Sequence, residues 1–351
     1  MKDSLKISRA TSPTDMSTPS KFNLTISVVI PVHNDPKNIR LCLGALGNSN
    51  YLRYEIIVVD DASVDNTYFE VQNFPAKIVR LSKKRGPAYA RNRGAELASG
   101  EVIFFVDADV LVYPDTLSKI ADTFKNSIGV DAIMGSYDDC PHDKSFISQY
   151  KNLFHHYVHQ VSNKNACTFW SGCGAIRRSV FLQLGGFSES YARPSIEDIE
   201  LGYRLKANHR NILLMKDLQV KHLKRWTFWG LIKTDVIDRG IPWTKLMLRD
   251  KVIPNDLNAR FSQRICVILS YLFIFLLGFF AIFSRQFLFI PFLLLATIII
   301  INNQLYRFFA QKRNLIFAAK VVPFHVLYYF YSGLSFLFGV FAYSLSKRSI
   351  R

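Results

Sequence analysis

The sequence predicts an α/β domain built on a mixed, mainly parallel sheet with flanking helices, followed by a region of transmembrane α-helices. Two observations support this prediction. Short apolar segments rich in Val and Ile alternate four times with helical segments in the first third of the chain, and long apolar segments with few charges fill the last quarter. Strands that are apolar throughout are typical of parallel sheets that helices cover on both faces.

Each of the four predicted strands is followed by polar residues. The strands are residues 26–32, 55–60, 77–81 and 101–106. The first helix is expected to begin after Asn34 or Asp35, either of which can cap it. A second helix follows Asp65, and a third spans residues 87–98. Ligands of such sheets bind beyond the carboxyl ends of the strands, which is where this chain carries paired acids.

The composition excludes several classes of protein. Hydrophobic residues make up 49% of the 351 positions, which is too large a share for a disordered chain. Five Cys are too few for a small disulfide-stabilised fold. Residues 1–24 are rich in Ser, Thr, Pro and Lys, so we expect a disordered tail there and no signal peptide. The α/β domain is expected at residues 25–225.

Three apolar runs predict about three transmembrane helices within residues 265–346. The runs are residues 266–283, 287–301 and 321–345, and none of them contains Lys, Arg, Asp or Glu. About 17–25 apolar residues suffice to cross a bilayer as a helix. The alternative is a buried hairpin in a soluble protein, which three successive runs of this length disfavour. Residues 347–351 then form a short basic tail.

The net charge of +17 is concentrated next to these apolar runs. Residues 201–264 contain 14 Lys and Arg against five Asp, interleaved with Trp226, Trp229 and Trp243. Basic residues and Trp beside a membrane segment are typical of a cytoplasmic interface, which we place at residues 226–264. No nucleic-acid-binding motif accompanies the charge, so a nucleic-acid partner is not expected.

Two acidic pairs follow predicted strands. Asp107 and Asp109 stand one residue apart after the fourth strand, and Asp60 and Asp61 close the second. Carboxylates in this position can bind a divalent cation, which prefers oxygen ligands and tolerates bridging phosphates. A solvated turn and helix capping are the structural alternatives. We predict that Pro31, Asp61 and Asp109 line one cleft, in which a metal neutralises a diphosphate leaving group.

A third acidic pair, Glu197 and Asp198, lies at a predicted helix start. Carboxylates at that position are stabilised by the helix macrodipole, so capping is one interpretation. The functional interpretation is a general base that accepts the proton of an acceptor hydroxyl. Residues 170–174 precede this pair and contain two glycines, which allow the backbone to approach a ligand closely.

Taken together, these segments resemble the family-2 glycosyltransferases with the GT-A fold. The similar segments are residues 27–35, 55–67, 85–110, 169–187 and 197–205, in the order and spacing of that family, and they extend over about 180 residues. The resemblance implies transfer of a sugar from a nucleotide-diphosphate donor, most often a UDP-sugar, with inversion at the anomeric carbon. It also implies Mg or Mn as the cofactor.

The resemblance implies roles for individual residues. Asp198 is expected to be the catalytic base, with Glu197 beside it. Asp61 is expected to recognise the base of the nucleotide, Asp109 to bind the metal, and Asp107 to contact the ribose, the sugar or the metal. The other residues expected along the nucleotide are Pro31, Val32, His33, Asp35, Arg85, Gly86 and Arg91.

Three residues near the membrane interface complete the predicted site. His222 follows a strand-like segment where some GT-A enzymes place a further metal or diphosphate ligand, and an interfacial His is the alternative. Arg239 and Trp243 stand where processive synthases carry a Gln-x-x-Arg-Trp motif, and they are expected to contact the diphosphate or the acceptor. That motif is not intact in this chain, which argues against a processive polysaccharide synthase.

The sequence therefore predicts a multi-pass protein of the plasma membrane whose α/β domain lies in the cytoplasm. Its acceptor is expected to be a hydroxyl or phosphate of a lipid-linked or polysaccharide molecule of the cell envelope. A processive synthase and a non-catalytic nucleotide-binding scaffold are the alternatives. Three crossings place the basic C-terminus outside, against the positive-inside tendency, so two or four crossings or a re-entrant segment stay open.

Overall fold

An eight-stranded mixed sheet forms the centre of the protein, seen in a computed structural model that describes residues 24–191 and 193–348. The strands are β1 (Ile26–Val32), β2 (Tyr54–Asp60), β3 (Lys77–Arg80), β4 (Val102–Val106), β5 (Val110–Val112), β6 (Ala132–Tyr137), β7 (Cys173–Arg177) and β8 (Ile212–His222). The helices of this part are α1 (Pro36–Gly47), α2 (Thr67–Val71), α3 (Pro87–Leu97), α4 (Thr116–Asn126), α5 (Phe146–Val161), α6 (Arg178–Gln183) and α7 (Glu197–Ala207).

The order of the strands in the sheet is β3-β2-β1-β4-β7-β6-β8-β5. β1 pairs in parallel with both β2 and β4, so that the carboxyl ends of these three strands lie at one edge of the sheet. β7 runs antiparallel between β4 and β6, and β8 pairs in parallel with β6. The predicted fold class, a mixed and mainly parallel sheet with flanking helices, is confirmed.

The predicted strands and helices of the first hundred residues agree closely with the structure. Asp35 caps α1 through a hydrogen bond that its Oδ1 accepts from the backbone N–H of Asn38 at 3.3 Å. The apolar strands β1 and β4 are buried along almost their whole length. Small residues bring α3 close to the sheet: a Cβ on Gly94 would lie 2.4 Å from Val29 Cγ1. The helix predicted after Asp65 is a short one, α2.

Helices make up the rest of the described chain. They are α8 (Phe228–Lys233), a π-helical segment (Thr234–Gly240), α9 (Ile241–Asp250), α10 (Phe261–Phe283), α11 (Phe289–Ile301), α12 (Asn303–Lys312) and α13 (Leu315–Arg348). By length and hydropathy, α10 and α13 are each able to cross a membrane. α11 and α12 are bent by 68° against each other and count as a third crossing only if the pair is one broken span. The prediction of about three spans thus becomes two or three.

The apolar residues of these helices are largely exposed, as expected of a lipid-facing surface. Examples are Ile282 on α10, Ile300 on α11 and Phe341 on α13, which are 64–75% exposed. α13 also packs along α9 and the π-helical segment, so it joins the C-terminal apolar helices to the residues predicted as an interface. The predicted tails are residues 1–24 and 347–351. Residues 1–23 and 349–351 lie outside the described residues, and α13 includes residues 347 and 348 of the second tail.

Candidate active site

A cleft of about 560 Å³ lies at the carboxyl ends of β1, β2 and β4 and at the start of α7. It brings together most of the residues that the sequence analysis selected. Those that line it are Pro31, Val32, His33, Asp35, Asp61, Gly86, Arg91, Asp107, Asp109, Glu197, Asp198, His222 and Arg239. Arg85 and Trp243 are absent from this lining. We refer to this space as the first cleft.

Asp61 holds the loop that follows β3. Its carboxylate accepts hydrogen bonds from the backbone N–H groups of Arg85 at 2.7 Å and Gly86 at 2.8 Å. Gly86 has a φ of 91°, which is strained for residues other than Gly. The guanidinium of Arg85 stacks on the ring of Tyr89, with 4.4 Å between Cζ and the ring centroid. Asp61 thereby fixes the backbone at residues 85–86, of which Gly86 lines the cleft.

Arg91 joins the acidic pair after β4 to the acidic pair of α7. Its guanidinium donates to Asp107 Oδ1 at 2.6 Å and to Glu197 Oε1 at 2.9 Å. Arg91 and Glu197 are buried, whereas Asp107 is partly open to the cleft. Burial raises the pKa of Glu197 and outweighs the opposing effect of Arg91, while the charge of Asp198 raises it further. Both pairs are therefore held in one rigid arrangement.

Asp109 faces His222, which comes from the end of β8. The Oδ2 atom of Asp109 lies 3.4 Å from Nε2 of His222. The Nδ1–H of His222 donates to the side-chain oxygen of Asn152 at 2.8 Å, which turns Nε2 toward Asp109. Burial acts to raise the pKa of the Asp109 carboxyl. The lowering effects of His222 and Lys224 outweigh burial, so this pKa lies below its usual value.

These two groups have the donor chemistry of a cation site. An oxygen and a ring nitrogen that face each other suit Mn²⁺, which accepts both. Within residues 24–191 and 193–348, no three His, Cys, Asp or Glu side chains are grouped closely enough to hold a metal by themselves. Asp107, which the sequence also proposed as a ligand, has one of its oxygens on Arg91.

Asp198 lies opposite the metal candidates, at the start of α7. Its Oδ2 accepts hydrogen bonds from the N–H of Ser171 at 3.1 Å and from the hydroxyl of Ser171 at 3.2 Å. Its Oδ1 accepts the N–H of Ile199 at 2.8 Å. Donors on both oxygens orient the carboxylate. The glycine-containing segment before β7 therefore orients Asp198 through Ser171, a contact that the sequence analysis did not predict.

A second cleft of about 480 Å³ meets the first one at Asp198. Its walls come from α5, α7, α9, α10 and α13, and most of its lining is apolar. The residues that line both clefts are Lys151, His155, Trp170, Ser195, Asp198 and Arg239. Trp243 lies in the second cleft, and its Nε1–H donates to the hydroxyl of Tyr203 at 3.0 Å.

The sequence analysis missed the contribution of α5. Lys151 and His155 are four residues apart on this helix and therefore share one face, which lines both clefts. The Nδ1 atom of His155 is buried without a hydrogen-bond partner in the described part of the chain. Burial holds the pKa of His155 well below its usual value. The four-residue spacing of Lys151, His155 and His159, which places them on one face of the helix, was the available signal.

Lys151 also links the α/β domain to the last helix. Its Nζ lies 2.6 Å from Asp235 Oδ1 in the π-helical segment, and both side chains are buried. The hydroxyl of Tyr331 on α13 donates to the other oxygen of Asp235 at 2.9 Å. Burial lowers the pKa of Lys151, although Asp235 opposes that effect. A buried polar chain thus connects α5 to α13, and we call it the α5–α13 link.

Comparison with known proteins shows which family part of this chain resembles. Residues 27–185 match the family described as Glycosyl transferase family 2. The dolichol-phosphate mannosyltransferase of Pyrococcus furiosus is 36% identical over 118 residues, which are 32% of this chain and 33% of that protein. The UDP-Glc:alpha-D-GlcNAc-diphosphoundecaprenol beta-1,3-glucosyltransferase WfgD of Escherichia coli is 31% identical over 117 residues, which are 32% of this chain and 46% of that one. The chain spans about a third of the length of the first curated relatives it matches.

Solved structures support the fold over almost the whole chain. The mannosyltransferase PcManGT of Pyrobaculum calidifontis aligns with a TM-score of 0.59 and 17% identity, over 90% of this chain and 88% of that one. Residues 1–349 of S. aureus TarS align with a TM-score of 0.52 and 18% identity, over 93% of each chain. The resemblance seen in the sequence is confirmed: residues 27–185 match the Glycosyl transferase family 2 model, and the chain has the GT-A fold of these solved structures.

Proposed function

We propose that this chain is a metal-dependent, inverting glycosyltransferase that uses a nucleotide-diphosphate sugar as donor and acts at a membrane. One observation carries the proposal. The carboxyl ends of β1, β2 and β4 and the start of α7 all border the first cleft. Asp109 and Asp198 therefore line the same space. A donor can bind with its diphosphate at Asp109 and its sugar toward Asp198.

The donor half of the cleft is assigned as follows. The loop at residues 85–86, which Asp61 holds, lies beside the nucleotide together with Pro31 and His33. Asp109 and His222 are the residues that would hold Mg²⁺ or Mn²⁺, and diphosphate oxygens would complete its shell. A cation held there would supply positive charge to neutralise the leaving diphosphate. Arg91 is a positioning residue that keeps Asp107 facing the donor.

Asp198 is assigned as the general base. It accepts the proton of an acceptor hydroxyl while the hydroxyl oxygen forms a bond to the anomeric carbon. The bond between that carbon and the diphosphate oxygen breaks, and the nucleoside diphosphate leaves on the opposite face, which inverts the configuration. The hydrogen bonds from Ser171 orient the carboxylate for this transfer. Glu197 is held by Arg91 and acts as a positioning residue.

The acceptor is proposed to be lipid-linked. The relatives from Pyrococcus furiosus and Escherichia coli named above carry dolichol phosphate and diphosphoundecaprenol in their names. In this chain, α10 and α13 are proposed as the membrane anchor. Two crossings return the C-terminus to the side of the catalytic domain, which puts Lys347, Arg348 and Arg351 on the cytoplasmic side and agrees with the positive-inside tendency.

The test measures donor binding and turnover by the full chain in detergent micelles. UDP- and GDP-sugars are screened with Mn²⁺ or EDTA, with thermal stabilisation as the readout and release of nucleoside diphosphate as the measure of turnover. We expect one donor to stabilise the protein in the presence of the metal and to lose this effect with EDTA. Stabilisation by none of the donors contradicts the proposal.

The variant Asp198→Asn tests the base. Loss of a general base slows the chemical step by about 10²–10⁴-fold, and we expect this loss in turnover with little change in donor affinity. Asp122→Asn is the matched control, since Asp122 is exposed on α4 and lines neither cleft. Equal turnover by Asp198→Asn and Asp122→Asn shows that the assignment of the base is wrong.

A further inference from the structure

The second cleft extends from Asp198 to the apolar surface of the C-terminal helices. At its inner end it shares Lys151, Asp198 and Arg239 with the first cleft. Its lining also includes Ile268 on α10 and Phe336 on α13, which are 61% and 45% exposed and belong to the surface that faces lipid. The cleft therefore offers a continuous apolar path between that surface and the proposed base.

Lys151, Arg239 and Arg264 are the Lys and Arg residues in the lining of the second cleft, and the first two also line the first cleft. Lys151 is engaged by Asp235 in the α5–α13 link. Arg264 donates to the carbonyl oxygens of Ala259 and Pro254. Arg239 has no hydrogen-bond or ion-pair partner among the described residues, although it is only partly exposed. A cation left without a counter-ion in a largely apolar cleft favours an anionic ligand.

We propose that the second cleft binds a single-chain isoprenoid-type lipid that carries a phosphate or diphosphate headgroup. The chain lies between α9, α10 and α13, and the headgroup phosphate pairs with Arg239, beside Asp198. A volume of about 480 Å³ is in the range of small-molecule sites and suits one chain better than the two chains of a bilayer phospholipid. This site rests on the proposed function, because it would hold the lipid and phosphate part of an acceptor whose saccharide hydroxyl reaches Asp198.

Shape and charge together determine the expected specificity. The apolar walls contribute affinity in proportion to the chain length that they cover. Arg239 contributes preference for an ionised headgroup over an alcohol. A saccharide without a lipid chain leaves the cleft walls in contact with water and is expected to be a poor acceptor.

Photolabelling of the full chain in detergent micelles tests the site. The probe is farnesyl diphosphate with a benzophenone at the far end of its chain, and peptide mass spectrometry locates the labelled residues. We expect labels on α9, α10 or α13 at residues that line the second cleft. Unlabelled farnesyl diphosphate should compete at least tenfold better than farnesol or inorganic diphosphate. Equal competition by either of them, or labels spread over the outer faces of α10 and α13, overturns the proposal.

Three variants sharpen the test. Ser332→Trp places a large side chain in the cleft and should reduce labelling at least tenfold. Leu337→Trp on the same helix is the matched control, since Leu337 is 60% exposed and does not line the cleft, and it should change labelling less than twofold. Arg239→Gln should reduce the preference for farnesyl diphosphate over farnesol at least fivefold. Equal labelling of the two Trp variants overturns the proposal.

Nucleotide binding separates this inference from the proposed function. Each variant is also tested for stabilisation by UDP and GDP with Mn²⁺, which reports on the first cleft and on correct folding. Intact nucleotide binding without specific labelling overturns the lipid site alone. Specific labelling without nucleotide binding supports the lipid site and contradicts the donor assignment instead.

Discussion

The variant Arg91→Met should be strongly destabilised, because Arg91 is the cation between two carboxylates. The side chains of Arg91 and Glu197 are each 5% exposed, whereas that of Asp107 is 34% exposed. Removing one partner of a buried ion pair costs about 3–5 kcal/mol, since the other charge stays buried without a counter-ion. We attribute most of this cost to Glu197, because Asp107 retains access to water.

The apparent melting temperature of the full chain in detergent measures this loss. In a domain of 150–250 residues, about 1 kcal/mol changes the melting temperature by about 2–4 °C. A loss of about 3 kcal/mol therefore lowers it by about 6–12 °C. Arg93→Met on the same helix is the control, because Arg93 pairs with Glu96 on the surface, where an ion pair contributes less than about 1 kcal/mol. An equal shift for both variants refutes the reasoning.

A double variant tests whether the stranded charge is the cause. Adding Glu197→Gln to Arg91→Met removes the buried carboxylate that has lost its partner. Replacing both members of a buried pair costs much less than removing one of them. We therefore expect the double variant to recover at least half of the lost melting temperature. A double variant as unstable as Arg91→Met shows that packing around the guanidinium, and not charge, is what the single variant loses.

Two further predictions concern the packing of α7 and α5. Gly202→Ala should lower the melting temperature, because a Cβ on Gly202 would lie 2.5 Å from the Cα of Thr168. Gly44→Ala is the control: its Cβ would meet open space, so this variant should leave the melting temperature unchanged or raise it. A lower melting temperature in both variants contradicts the prediction. Burial lowers the pKa of His159 from 6.5 to about 4, against the hydrogen bond that it donates to the carbonyl of Gly135. The stability that the neutral ring contributes is therefore present above pH 6.5 and lost as the pH falls toward 4. Melting curves between pH 7 and pH 5 should show this decline for the protein and a smaller one for His159→Gln, and parallel declines would contradict it.

The first half of the sheet could be predicted from the sequence because its strands are defined locally. β1, β2 and β4 are continuous apolar runs whose ends are marked by polar residues, and each was predicted to within one residue. The acids at those ends could be located for the same reason, since parallel strands bring their carboxyl ends to one edge. Their mutual contacts could not, because the pairing of Arg91 with both Asp107 and Glu197 joins residues that are far apart in sequence.

The second half of the sheet and the second cleft were not predictable in this way. β7 is only five residues long, and it is defined by antiparallel pairing with β4 and β6, not by its own composition. The buried polar residues of α5 depend on partners from distant segments: Lys151 on Asp235, and Asn152 on His222. The second cleft forms where α9, α10 and α13 pack against the α/β domain. No local pattern in the sequence predicts this packing.

The α5–α13 link has a consequence for the length of the product. Lys151, Asp235 and Tyr331 tie the α/β domain to α13 by polar contacts that are largely buried, so a membrane anchor at α13, as proposed, would hold the domain close to the bilayer. The proposed base, Asp198, would then act at one fixed height above the lipid. The proposed acceptor would carry its new end beyond that height after gaining one sugar, so we expect a single addition to each lipid and not the growth of a chain.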